Sequence, residues 1–286
     1  MQTPKHVGLV LSGGGAKGSY QVGVWKALRE LGLEPMITHV SGTSIGALNG
    51  ALFSLGALDQ AIQIWNSTST EDVLSVDKNM IRTWTEKLRA SDTKIRTIAE
   101  SVGTFFGNNR SDGVFTRNRL VSILDNEFDF SHIKTSAITT YAACFEKSSL
   151  SSKYFKLNGQ PEETIRSILL ASSAIPVIFE SHSVHQEEYF DGGLSDNIPI
   201  RPLYEEGVRT FITVSMSQSK AIETEAFPGS QFFEIAAQGD MGNLFTGTLN
   251  FNKRAIQERM AQGHADASRV LRNSKDLLEH EDSQHH

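Results

Sequence analysis

Cysteine is almost absent. Cys144 stands alone among 286 residues, so no internal disulfide can brace the chain and the small disulfide-stapled scaffolds are excluded. It lies in the apolar stretch 141–145, which reads as a buried, unreactive thiol in a protein of a reducing compartment. Positive charge is also in short supply: 27 Lys and Arg against 33 Asp and Glu leave a net charge of −6. No general basic field exists to hold nucleic acid or an anionic membrane, so any lipid contact must come from local apolar surface and should depend only weakly on salt. Long apolar runs are missing too. Residues 7–11 form a run of only five before Ser12, too short for a secretory signal. The uncharged stretch 35–58 is interrupted by Ser41, Thr43, Ser44, Asn49, Ser54 and several glycines, which argues against a membrane span. With 7 prolines and 23 glycines the chain is neither collagen-like nor low-complexity, and its length suits one α/β domain with an ample core.

What is present is an alternation of short apolar runs and helical patterns. Residues 6–11 read as a buried strand ended by Gly13, Gly14 and Gly15. A helix over 17–31 follows, with Val22, Trp25, Leu28 and Leu31 at helical spacing and Gly32 where a C-terminal cap belongs. Residues 37–40 predict a second strand stopped by Ser41 and Gly42, and a second helix starts near Ser44 with Leu48, Leu52 and Leu55 on one face beside Ala47 and Ala51. This β-α-β-α order implies a largely parallel sheet covered by helices. The more polar segment 66–126, with a helical pattern at Ile81, Trp84 and Leu88, reads as an insertion. Strands at 138–145 and 153–157 suit a hairpin, a helix covers 162–171, and strands return at 188–190 and 210–215. The C-terminal quarter predicts two helices, 252–260 and 265–278, separated by Gly263, and then a frayed tail at 279–286. No repeat or linker divides residues 1–286, which are expected to form a single domain: a core over 6–203 and a strand-and-helix extension over 204–286.

Two glycine-rich turns carry the chemistry. Gly13-Gly14-Gly15-Ala16-Lys17-Gly18 satisfies G-x-G-x-x-G between a strand and a helix. The second strand, however, ends in Ser41-Gly42-Thr43-Ser44 without the acidic residue that would hold a dinucleotide ribose, and Lys17 precedes Gly18, the wrong order for a P-loop. What survives is a nest of backbone N–H groups suited to negative charge, a transient oxyanion included. Gly42-Thr43-Ser44-Ile45-Gly46 matches G-x-S-x-G at a second strand-to-helix turn, where a sharp bend lifts a serine hydroxyl out of the sheet. Serine needs a base. His264 follows Gly263 between polar helices and reads as a surface residue, whereas Asp191, followed by Gly192 and Gly193, sits in a constrained turn. His182 and His185 lie near Glu187 and Glu188 but lack a clear third ligand, so no metal site is expected.

Taken in order, 13–18, 42–46 and 191–193 resemble the three signatures of the patatin-like phospholipase family, and the surrounding 171–176 and 191–199 are similar to that family as well. The resemblance covers about residues 6–203. It implies a three-layer α/β/α fold with a largely parallel central sheet and a serine-aspartate dyad acyl hydrolase without cofactor, metal or catalytic histidine. By that resemblance Ser44 is the nucleophile, Asp191 the proton acceptor, and the amides of Gly13, Gly14 and Gly15 the oxyanion hole. Lys17 stands at the family's basic position, and Gly18, Gly42, Gly46, Gly192 and Gly193 support the turns. The expected substrates are phospholipids, lysophospholipids or other acyl esters, met by a cytoplasmic protein in transient contact with a membrane surface and with no nucleic-acid partner. Thioester cleavage or acyl transfer by the same dyad, and a non-enzymatic lipid sensor with the same fold, are the alternatives. Phe227, Phe232, Phe233, Phe245 and Phe251 cluster among glycines and read first as core, second as the lining of an acyl channel or flap.

Overall fold

The computed structural model describes residues 6–69, 76–77, 114–115, 118–176, 179–216, 222–242 and 244–272. The helical pattern at Ile81, Trp84 and Leu88, the side chain of Phe245 and the tail 279–286 lie outside the described residues. In chain order the elements begin with β1 (Val7–Leu11), a 3₁₀ turn (Gly15–Gly18), α1 (Ser19–Glu30), β2 (Ile37–Thr43), α2 (Ile45–Ser54) and α3 (Leu58–Ser67). A two-residue pair, β3 (Val76–Asp77) and β4 (Val114–Phe115), precedes α4 (Asn118–Glu127) and α5 (Phe130–Thr135). Then come β5 (Thr139–Glu146), β6 (Ser151–Lys156), α6 (Glu162–Ser172), β7 (His182–Val184), β8 (Glu187–Asp191), α7 (Arg201–Glu205), β9 (Thr210–Ser215), β10 (Gln231–Ala236) and α8 (Lys253–Arg272).

β1 lies between β2 and β9, both parallel to it, with β10 parallel outside β9 and β5 parallel outside β2. Central strands of such a sheet are buried on both faces, which is why 7–11 and 210–214 are buried at every position and not at alternate ones. One face carries the main core, into which Leu9 and Leu11 point with α1, α2, α3, α6 and α8 packed over them. The other face holds a smaller cluster of Val10, Ile200, Leu203, Val208 and Phe211, covered by α7. The expected α/β class with a mostly parallel sheet is borne out. The helix over 17–31 is a 3₁₀ turn followed by α1, and Gly32 at φ 73° closes it, with Leu33 N–H donating to the Leu28 carbonyl at 2.9 Å.

Three expectations change. β2 does not stop at Ser41 but continues to Thr43, because Ser41, Gly42 and Thr43 keep their pairing with β5. The aromatic stretch contains a strand that the sequence reading did not anticipate, β10, whose alternation sends Phe232 to stack on Phe211 at 5.2 Å on one face and Phe233 into the main core on the other. Finally, Gly263 does not break the C-terminal helical segment, since α8 runs through it without interruption. A Cβ there would strike the Tyr20 carbonyl, and one on Gly23 of α1 would strike the Met260 carbonyl. The two glycines bring the α1 and α8 backbones together, and Tyr20 locks the contact by donating to Asp266 Oδ2 at 3.0 Å. Burial and the Asp266 charge push the Tyr20 phenol far above its ordinary range.

Candidate active site

Ser44 occupies the hinge between β2 and α2. Its φ of 57° and ψ of −124° lie where only glycine is comfortable, a strain of about 1–3 kcal/mol for any other residue. The turn is held from three sides. Ser44 N–H donates to Ser172 Oγ at 2.9 Å, and Ser172 Oγ in turn donates to the Ala143 carbonyl at 2.7 Å. A Cβ on Gly42 would run into the Gly46 backbone, and one on Gly46 into the Leu11 carbonyl, so the G-x-S-x-G glycines exist to let α2 start against β1. Ser44 is 5% exposed and borders a cavity.

The first glycine turn sits against this hinge: a Cβ placed on Gly13 would lie 3.2 Å from Ser44 Cβ. Gly13 N–H is already engaged, donating to Asn197 Oδ1 at 3.1 Å, while Asn197 Nδ2 returns a 3.4 Å contact to the Gly13 carbonyl. Among the described residues the N–H groups of Gly14 and Gly15 have no such partner. Gly15 adopts φ 57°, and the Thr248 carbonyl fills the space a side chain would need. Lys17 donates from Nζ to the Gly242 carbonyl at 2.6 Å, tying the turn to the segment between β10 and α8. Burial, and then the nearby Arg259 charge, lower the Lys17 pKa. Gly18 makes room for Ile45, whose Cγ1 would lie 2.5 Å from a Cβ at that position.

Asp191 reaches the hinge through sheet pairing. β2 pairs with residues 139–143 of β5 and β8 with residues 144–146, while β6 pairs with 141–146 and so overlaps both. A strand has two edges, so β2 and β8 must share the edge opposite β6, end to end. Thr43 faces Ala143 and Asp191 faces Cys144, adjacent residues on β5, so Asp191 arrives where β2 ends and Ser44 turns away. The carboxylate is 6% exposed, and its Oδ1 accepts Gly193 N–H at 2.8 Å. A Cβ on Gly192 would meet the Ala143 carbonyl at 2.6 Å, and one on Gly193 would lie 3.2 Å from Asn197 Oδ1. Asn197 therefore stands between the glycine turns at 13–15 and 192–193. Cys144, fully buried, has its thiol pushed well up by burial and by the Asp191 charge, as an inert cysteine should.

The cavity beside Ser44 measures about 120 Å³ and is walled by Ile45, Leu48, Leu52, Ile64, Trp65 and Phe251, among other apolar side chains. Trp65 stacks on Phe251 at 6.2 Å. Of the clustered phenylalanines, Phe251 alone lines this cavity among those whose side chains are described, while Phe227, Phe232 and Phe233 belong to the two cores. His264 is removed from the site, its Nε2 bonded to Glu30 Oε2 at 2.6 Å. Among the described residues no cluster of His, Cys, Asp or Glu is arranged to hold a metal, and no helix is long and apolar enough to cross a membrane. Asn197, Ser172 and Thr248 escaped the sequence reading as site residues because each acts on a turn far away along the chain, through backbone groups that no local motif marks.

Fold and site together define an α/β protein whose mostly parallel sheet carries a strained serine hinge with a buried aspartate at the end of the same strand. The family model for patatin-like phospholipase matches residues 9–204, and the chain belongs to that family. It is 58% identical over 53 residues to the lysophospholipase nte1 of Aspergillus terreus, covering 18% of this chain and 3% of that protein. It is 26% identical over 215 residues to an NTE family protein of Mycobacterium tuberculosis, covering 75% and 50%. The chain thus spans half or less of the length of these curated relatives. Its fold resembles that of VipD from Legionella pneumophila, with a TM-score of 0.52 and 15% identity over 95% of this chain and 68% of that one.

Proposed function

We propose that this protein is a lipid acyl hydrolase that cleaves carboxylic esters through Ser44 and Asp191. The observation that carries this reading is the strained serine in the lining of an apolar cavity, with β8 delivering a buried aspartate to the end of the serine's own strand. Asp191 takes the Ser44 Oγ proton as the hydroxyl attacks the ester carbonyl and hands it to the departing alcohol. An acyl-enzyme remains, which water, deprotonated by Asp191, then cleaves. With Gly13 N–H committed to Asn197, the oxyanion falls to the N–H groups of Gly14 and Gly15, a narrower set than the Gly13, Gly14 and Gly15 trio implied by resemblance. Gly13 and Asn197 hold the turn in register. The acyl chain lies in the cavity, and the residues needed for the reaction are all side chains and amides of this chain, with no cofactor.

A fluorophosphonate probe should label Ser44, and acyl release from phospholipid, lysophospholipid and acyl-thioester panels should vanish in both Ser44→Ala and Asp191→Asn. Hydrolysis surviving in both variants overturns the dyad. Thioester preference would instead favour the second reading of the same site, and no turnover with any acyl donor would favour a lipid sensor. The cavity makes a separate prediction. Ile64→Trp fills apolar space at the wall that α3 contributes to the cavity, so kcat/KM for long-chain esters should fall about tenfold, as expected for loss of one to two buried methylene contacts, while short-chain esters change little. A chain-length series measures this directly, and a uniform loss would place the acyl chain elsewhere.

A further inference from the structure

Arg259, on α8 and outside the segment that matches the family, is 8% exposed and aims its guanidinium into the protein. Its hydrogen bonds go to backbone carbonyls: Nη1 to Asn250 at 2.9 Å and to Ala16 at 3.3 Å, Nη2 to Gly247 at 3.3 Å and to Thr246 at 3.4 Å. Among the described residues it forms no ion pair, and the adjacent Glu258 is occupied at the surface by Arg254 at 2.7 Å. A buried cation without a carboxylate is costly to keep. Burial lowers the Arg259 pKa, yet a guanidinium remains charged at any physiological pH. Its positive charge is therefore a permanent feature beside the first glycine turn.

The Ala16 contact has a direction. In a trans peptide the carbonyl and the following N–H point opposite ways. The Ala16 carbonyl faces Arg259, and the N–H on the far side of that peptide, belonging to Lys17, donates to the Gly14 carbonyl at 3.2 Å. The N–H on the far side of the Gly14 peptide is that of Gly15, one of the two amides available to an oxyanion. We propose that Arg259 is a positioning residue for the oxyanion turn, polarising the relay Arg259 to Ala16 carbonyl, Lys17 N–H to Gly14 carbonyl, and so strengthening Gly15 N–H as a donor. Successive hydrogen bonds of this kind reinforce one another in a low-dielectric interior. The same guanidinium grips the carbonyls of 246, 247 and 250, which keeps Thr248 over Gly15 and fixes the left-handed turn. The close α1 and α8 approach through Gly23 and Gly263 is what lets a side chain from α8 reach Ala16 at all.

This inference rests on the reading of Ser44 as the nucleophile, and the test separates the two. Arg259→Gln, Arg259→Lys and Tyr20→Phe are compared for kcat, KM, the rate of Ser44 phosphonylation and melting temperature. Negative charge grows on the substrate oxygen only in the transition state, so Arg259→Gln should lower kcat and the phosphonylation rate together by about tenfold or more, less than loss of a direct oxyanion donor, with KM nearly unchanged. Arg259→Lys, which keeps the cation, should recover a measurable fraction of that loss. Tyr20→Phe loosens the same helix pair without touching the relay and should lower the melting temperature while leaving kcat within about twofold. Equal kcat losses in Arg259→Gln and Tyr20→Phe would reduce Arg259 to a packing role and overturn the inference, as would wild-type kcat in Arg259→Gln. Failure of the probe to label Ser44 in an actively hydrolysing wild type would overturn the nucleophile reading and the relay with it.

Discussion

Ser44→Gly is expected to abolish acyl hydrolysis while raising the melting temperature. The hinge holds a serine at φ 57° and ψ −124°, a conformation that glycine reaches without strain. Relief of about 1–3 kcal/mol is opposed by glycine's extra freedom in the unfolded chain, roughly 1 kcal/mol, and by lost side-chain contacts. The balance is a gain of about 1 kcal/mol, or some 2–4 °C for a domain of this size. Ser44→Ala loses activity equally but keeps the Cβ and so the strain, and its melting temperature should stay near that of the wild type. Calorimetry on the two variants beside an acyl-release assay measures both effects. The comparison isolates backbone strain from loss of the hydroxyl, since only the glycine variant removes the first. A glycine variant that melts below the alanine variant would show that the hinge stores no strain and that its geometry is not held against a cost.

Gly46→Ala should be among the most destabilising single changes in the chain. The added methyl is directed at the Leu11 carbonyl, with the Ser12 carbonyl 2.7 Å away, and neither is a flexible side chain that can move aside. α2 must lift off β1, a strand bonded on both edges to β2 and β9, or the central sheet must shift. Overpacking against backbone at such a position costs about 3 kcal/mol or more, enough to lower the yield of folded protein as well as the urea midpoint. Gly50→Ala, four residues later in the same helix, is the control. There the methyl meets side chains and no backbone, Val40 Cγ1 at 2.9 Å and Leu11 Cδ1 at 3.9 Å, and alanine's better helix propensity of about 1 kcal/mol offsets the crowding. Urea unfolding of the pair should show a large loss for the first and a change within about 1 kcal/mol for the second. Similar midpoints would mean that the glycine spacing is not set by the contact of α2 with β1.

Much of the fold was legible because local signals and tertiary need agree in the first third of the chain. The apolar run 7–11, the helical spacing of Val22, Trp25 and Leu28 and the left-handed Gly32 each mean the same thing locally and in the packed molecule. Where the two disagree, reading failed. Gly263 looks like a helix break by propensity, yet it is placed inside α8 by the need to pack against the Tyr20 carbonyl. The strand β10 hid inside a stretch whose phenylalanines suit a core, a channel or a flap equally well, and only pairing with β9 selects among them. The helical reading of 81–88 falls outside the described residues.

The sequence by itself determined the chemistry on offer: a serine in G-x-S-x-G, a glycine turn before a helix and an aspartate before two glycines, because these are short patterns whose backbone requirements are written into residue type. The tertiary structure alone decided how they meet. That β2 and β8 share one edge of β5, that Asn197 takes up the Gly13 amide, and that Arg259 reaches Ala16 across two glycines are contacts between positions up to 243 residues apart. Strand pairing and helix packing select such contacts from the whole chain at once, and no local spacing encodes them.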